Sequence, residues 1–140
     1  MRSLLFFNLT LIVLDRFSKW FILNSPDLYQ GNFIELKLFK NPNLYFISFD
    51  SATLYFLIGA VILLLLFLFF RSWQKRKYLL MVGSSLIILG GLSNFFDRIY
   101  FNYVIDWIRV FFLPISIFNI ADLMIFGGII CLIFALIKSR

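Results

Sequence analysis

Four stretches of this sequence, roughly residues 3–23, 53–70, 79–98 and 115–137, are apolar over nearly their whole length. About 20 apolar residues in a helix cross the ~30 Å hydrocarbon layer of a bilayer, and in lipid a helix satisfies its own backbone polar groups. Composition agrees: of 140 residues 62% are hydrophobic and 14% charged, where a soluble domain carries about 25% charged residues. The expected fold is all-α, a single integral membrane domain over 1–140 with four transmembrane helices. The first stretch is interrupted by Asp15, Arg16 and Lys19. It is too long and too charged in its later part for a cleavable secretory signal, and it lacks a small-x-small cleavage site, so it reads as a retained helix.

The charges between the spans set an orientation. The connection RSWQKRKY carries Arg71, Lys75, Arg76 and Lys77 without an acid, Arg2 precedes the first span, and Lys138 and Arg140 close the last. An even number of spans puts all of these on one side, and the excess of Lys and Arg makes that side cytoplasmic. The net charge of +6 thus marks membrane orientation and not a nucleic-acid stripe. The connections 24–52 and 99–114 then face outward. In FIELKLFK, Ile34, Leu36 and Leu38 alternate with Glu35 and Lys37, the period of a half-buried strand, and LYFISF after the Asn41-Pro42-Asn43 turn is a candidate second strand. A small β element on the outer surface is expected. Pro26 and Pro114 mark boundaries between connections and helices.

With no histidine and one cysteine, Ser-His and Cys-His catalysis and an internal disulfide are excluded, and His/Cys metal sites have almost no ligands to draw on. Cys131, within GGIICLIFALI, reads as a small apolar helix residue.

The polar residues inside the spans carry the functional signal. On this topology Asp97 lies at the outer end of the third helix. Asp122 lies about seven residues into the fourth, ~10 Å deep at 1.5 Å per residue, and Asp15 reaches a similar depth on the first. A charge at the middle of a membrane helix costs at least ~2.5 kcal/mol, so three acids meeting in one leaflet should face the bundle interior and be partnered. In SNFFDR, Asn94, Asp97 and Arg98 share a helix face, and Asn119 and Asp122 in FNIAD repeat the Asn-x-x-Asp spacing. Two carboxylates close together in a low-dielectric site share a proton: the ionised one can activate a water while the protonated one polarises a carbonyl.

Structural roles explain several of these residues one at a time. Asp97-Arg98 could end a helix as an interfacial charge pair, Asn119 and Asp122 could cap the fourth helix, and Asp15 and Lys19 form an i,i+4 pair. Gly90-Gly91 and Gly127-Gly128 read as close-packing positions. What these roles leave unexplained is the convergence of the polar groups on one side of the membrane.

The sequence resembles the lipoprotein signal peptidases (signal peptidase II), four-helix membrane aspartyl proteases of bacteria. GGLSNFFDR is similar to the family's Gly-x-x-x-Asn-x-x-Asp-Arg motif and FNIAD to its Phe-Asn-x-Ala-Asp motif. LDRFSK resembles its Asp-x-x-x-Lys element, and YVIDWI its Val-x-Asp-Phe segment with Trp107 in place of Phe. The likeness covers nearly the entire chain. It implies that Asp97 and Asp122 are the catalytic pair and that Asp15, Lys19, Asn41, Asn94, Arg98, Asp106 and Asn119 support the site or bind substrate. It also implies a lipidated prolipoprotein substrate cut before its diacylglyceryl cysteine, with no metal or organic cofactor. The expected protein is a monomer among membrane lipids, without a nucleic-acid partner, in the bacterial cytoplasmic membrane with the site toward the outer face. The family's Asn-x-Gly-Ala-Ala-Phe element is replaced here by Asn41-Pro42-Asn43-Leu44-Tyr45-Phe46, and Asn102 stands where the family tends to have glycine.

Two other functions fit parts of the pattern. In a small transporter or channel component Asp15, Asp97 and Asp122 would relay protons or a cation. In a Ser-Lys peptidase Ser93 or Ser18 would act with Lys19.

Overall fold

The computed structural model describes residues 2–42, 51–112 and 117–138. Among the described residues four helices form where the apolar runs lie: α1 (Arg2–Asn24), α2 (Ser51–Gln74), α3 (Tyr78–Phe101) and α4 (Ile120–Lys138). Three of these, over Ala52–Gln74, Tyr78–Phe101 and Ile120–Lys138, are long and apolar enough to cross a membrane. α1 has 23 residues, but Asp15, Arg16 and Lys19 within it dilute its apolar character.

The distribution of polarity is that of a protein built for lipid. Leu63, Leu64, Phe67 and Phe70 of α2 and Phe126, Ile133, Phe134 and Ile137 of α4 point outward. The buried set instead includes Asp15, Lys19, Asn94, Asp97, Asp106 and Asn119. Apolar side chains have no need to hide where the surroundings are hydrocarbon, whereas charges must find one another.

α3 is the central helix. Its inward face includes Gly83, Gly90, Ser93, Asn94 and Asp97. A Cβ at Gly90 would stand 2.5 Å from the Ala121 carbonyl oxygen, and one at Gly128 would stand 2.7 Å from that of Gly83, so α3 and α4 touch backbone to backbone. The reading of both glycine pairs as packing positions is corrected here: Gly91 and Gly127 face open space. One residue around the helix from a packing position is a different face.

The sheet is larger than expected. Among the described residues four strands, β1 (Asp27–Gln30), β2 (Ile34–Asn41), β3 (Val104–Val110) and β4 (Ile117–Phe118), pair antiparallel in sequence order. The candidate strand LYFISF, Asn43 and Pro114 lie outside the described residues. The partner of β2 along most of its length is β3, with Glu35 opposite Arg109 and Phe39 opposite Asp106, so the 99–114 connection supplies the strand. The alternation is also modified: Glu35 is buried and joined to Arg109 at 3.1 Å, while Ile34 is exposed. An ion pair in register lets an acid occupy the covered face.

Asn102 ends α3 in the left-handed conformation, φ 65°, with its N–H donating to the Arg98 carbonyl. This is the termination a glycine commonly makes, and asparagine is the usual alternative. The turn delivers the chain into β3 two residues later, and that brings Asp106 back over the ends of the helices.

Candidate active site

The polar core has two layers. The first joins α1 to α3 through four charges in a ring. Arg16 Nη2 lies 3.2 Å from Asp15 Oδ2 and 2.8 Å from Asp97 Oδ1, and Lys19 Nζ lies 3.2 Å from Asp15 Oδ2 and 2.8 Å from Asp97 Oδ2. Two acids and two bases alternate, so the ring is neutral as a whole. Ser93 Oγ donates to Asp15 Oδ2 at 2.5 Å, and the Ala121 N–H at the start of α4 donates to Asp15 Oδ1 at 2.8 Å. The Ile105 N–H reaches Asp97 Oδ2 at 3.4 Å. Asp15 and Asp97 therefore tie the two helices to α4 and β3.

The second layer lines a cavity of about 320 Å³ bounded by α2, α3 and α4. Asn41, Asn94, Arg98, Asp106 and Asp122 meet at its polar end, and Leu57, Val61, Leu65 and Ile125 line its apolar length. At the start of α4, the Asp122 N–H donates to Asn119 Oδ1 at 2.9 Å and the Asn119 N–H donates to Asp122 Oδ2 at 3.1 Å. This reciprocal arrangement is a capping box. Cap and cavity wall are thus one feature, because the cap points Asp122 toward the neighbouring strand.

Asn119 also reaches across to β3, its Nδ2 donating to Asp106 Oδ1 at 2.7 Å, while Asn41 Nδ2 donates to Asp106 Oδ2 at 3.0 Å. Burial, and after it the charge of Asp122, pushes the Asp106 carboxyl up to about 7 from an ordinary 3.8, against the pull of the Asn41 and Asn119 amides and Lys19. Asn94 Nδ2 donates to Asp122 Oδ1 at 2.7 Å. Arg98 lines the cavity, with Nη1 on the Asn94 carbonyl oxygen at 3.3 Å and Asp122, Asp106 and Asp97 as its acidic neighbours.

All nine candidate residues thus sit in one connected polar core, but the grouping differs from the expected one. Asp97, fully buried, spends both carboxylate oxygens on Arg16, Lys19 and the Ile105 amide and is not part of the cavity wall. Asp106 and Asp122 share the cavity, with Asn119 bonded to both. Arg16, absent from the candidates, completes the ring; its charge inside an apolar run, next to Asp15, was the available signal. Ser93 and Ser18 donate to Asp15, through Oδ2 and the main-chain oxygen respectively, and Lys19 is held by two carboxylates and the Asn94 oxygen. That geometry offers no Ser-Lys pair.

Apolar helices that enclose carboxylates, amides and an arginine at one end of a cavity define a helical membrane protein with a buried polar core. A family model described as signal peptidase (SPase) II matches residues 7–138. A lipoprotein signal peptidase of Streptococcus agalactiae serotype Ia is 33% identical over 139 residues, covering 95% of this chain and 90% of that protein. One from Caldicellulosiruptor bescii is 33% identical over 131 residues, covering 91% and 85%. A solved structure of a bacterial membrane enzyme superposes with a TM-score of 0.85 at 23% identity, covering 99% of this chain and 90% of that one. The chain belongs to the signal peptidase II family, and is by that membership a protease. Nothing in these likenesses favours an ion relay.

Proposed function

We propose that this protein removes signal peptides from prolipoproteins by aspartic-type hydrolysis, and that Asp106 and Asp122 are its acid pair in place of Asp97 and Asp122. One observation carries the assignment: Asp106 and Asp122 line the same cavity and are bridged by Asn119, whereas Asp97 is consumed by a neutral ring of charges. In this reading the Asp122 carboxylate takes a proton from water as the water oxygen attacks the scissile carbonyl, and the Asp106 carboxyl donates its proton to the carbonyl oxygen. As the tetrahedral intermediate collapses, the C–N bond breaks, the leaving nitrogen takes the proton held by Asp122, and Asp106 recovers its own. One shared proton and the Arg98 cation leave the cavity without net charge.

The substrate is a prolipoprotein with a diacylglyceryl cysteine, cut on the amino side of that cysteine, its acyl chains in the apolar part of the cavity or the adjoining lipid. α1 serves as a fourth span, its charges neutralised by the ring. The protein works as a single domain and a monomer among lipids of the bacterial cytoplasmic membrane, both termini inside and the sheet with the acid pair on the outer side, an orientation supported by Arg71, Lys75, Arg76 and Lys77 in the α2–α3 turn. Purified protein in liposomes is expected to release the signal peptide from a diacylglyceryl precursor and to leave the unlipidated precursor intact. A lack of cleavage, or equal cleavage of both, overturns this function.

The pH dependence has a definite sign. Asp106 must hold its proton to polarise the carbonyl, and its carboxyl titrates at about 7. The cleavage rate is expected to fall as pH rises through about 7, and a rate that climbs from pH 6 to 9 would remove Asp106 as the acid. The same group contributes stability that is fully present below 3.8 and is lost as pH rises through about 7, because folding holds a proton there that the unfolded chain has given up.

A further inference from the structure

Lys19 is almost completely buried, yet it does not touch the cavity. Two of its contacts are the ring carboxylates of Asp15 and Asp97, and the third is Asn94 Oδ1 at 2.9 Å. An ammonium carries donors only, so it fixes which end of the Asn94 amide it faces. With Oδ1 turned to Lys19, and to Asn119 Nδ2 at 3.1 Å, the Asn94 Nδ2 must point the other way, where it donates to Asp122 Oδ1 at 2.7 Å. The lysine charge is thus transmitted through one polarised amide to one member of the acid pair.

We infer that Lys19 is a positioning residue, which through Asn94 keeps the negative charge on Asp122 and so leaves the shared proton on Asp106. This rests on the Asp106–Asp122 reading and goes beyond it, because that reading assigns the proton to Asp106 without naming the side chain that keeps the charge on Asp122. The α4 cap acts in the same sense, placing Asp122 in the first helical turn with the Asn119 N–H on its other oxygen. The charged groups that act on Asp122 are Asp15 and Lys19 from α1, Arg98 from α3 and Asp106 from β3, with Tyr55 of α2 near Arg98, while Arg16 and Asp97 face each other within the ring. The ring contributes two acids and two bases, so Lys19 matters by direction and not by net charge: it is the ring cation that bonds Asn94.

Two double variants separate position from charge. Lys19→Gln with Asp97→Asn and Arg16→Gln with Asp97→Asn each leave a neutral ring of one acid and one base, and they differ in which cation remains. With full-length protein in liposomes and a diacylglyceryl precursor peptide, the Arg16→Gln double is expected to retain most of its rate. The Lys19→Gln double is expected to lose at least about tenfold in kcat with KM little changed, and to show the acid limb of its pH profile moved up by about one pH unit. Equal thermal stability of the two confirms that folding is not the cause. Should the Lys19→Gln double prove the less stable, Asn94→Ser, which leaves the whole ring in place, is expected to show the same loss and the same pH shift. The inference is overturned if kcat and the acid limb of the folded Lys19→Gln double, or of Asn94→Ser, stay within twofold of the parent. Asp106→Asn is run beside them. Cleavage by that variant sinks the acid pair and this inference together, whereas its inactivity with an unaffected Lys19 variant sinks the inference alone.

Discussion

Asp106→Asn is expected to lower kcat for cleavage of a lipidated precursor by at least about a thousandfold in a protein that still folds, and Asp122→Asn to do the same. The amide is nearly isosteric with the carboxyl. At position 106 it forfeits one of the two contacts from Asn41 and Asn119, and at 122 one of those from Asn94 and the Asn119 N–H. Asp97→Asn is expected to behave differently. It leaves Arg16 and Lys19 facing Asp15 alone, and breaking a buried pair typically costs about 3–5 kcal/mol. Its first symptom is therefore a lowered melting temperature, and its activity follows the amount of folded protein. Adding Arg16→Gln rebalances the ring and is expected to restore both. The decisive comparison is kcat per folded molecule: substantial turnover by Asp106→Asn, or a well-folded Asp97→Asn, Arg16→Gln protein as inactive as Asp122→Asn, would return the pairing to Asp97 and Asp122.

The second large effect falls on adjacent glycines. Gly90→Ala puts a methyl 2.5 Å from the Ala121 carbonyl oxygen and 2.9 Å from Ile125, and a backbone atom cannot step aside as a side chain can. The helices must separate where Ala121 bonds to Asp15 and precedes Asp122, so a loss of about 1–3 kcal/mol or more in stability and a matching fall in activity are expected. Gly91→Leu meets no atom within 4 Å of its Cβ, and position 91 is on the cavity wall. That variant is expected to melt like the parent while KM rises about tenfold or more, because leucine occupies apolar space proposed for substrate. Equal melting temperatures for Gly90→Ala and the parent would contradict the close approach of α3 and α4. An unchanged KM for Gly91→Leu would remove the cavity from the substrate path.

Helical spacing made much of the core legible. Asn94, Asp97 and Arg98 do share the inward face of α3, and Asn119 and Asp122 do stand together at the start of α4, since positions three and four apart on a helix keep their relation whatever packs against them. The β3 strand was not legible. VIDWIRV lacks alternation between apolar and polar residues, because Val104, Ile105 and Asp106 are all buried. From the sequence, Asp106 is therefore reached only through the family resemblance, as a supporting residue, whereas its pairing opposite Phe39 and beside Asn41 is what carries it into the cavity. The two matched Asn-x-x-Asp spacings drew attention to Asp97 instead. Spacing within a helix says which side chains share a face, and nothing of which partner a neighbouring helix offers them.

By itself the sequence determined the solvent, the apolar segments, the absence of histidine chemistry, the gathering of acids and amides at one level, and the family. Each of these follows from composition and local periodicity, which the chain carries in any conformation. Only the tertiary structure decided which acids meet. The Asp97 carboxylate is closed into a ring by Arg16 and Lys19 of another helix, and Asp106 is brought beside Asp122 by the turn at Asn102 and the register of β2 with β3. Electrostatic pairing in a medium of low dielectric depends on separations of a few ångströms between segments far apart in the chain, and such separations exist only once the helices and the sheet have packed.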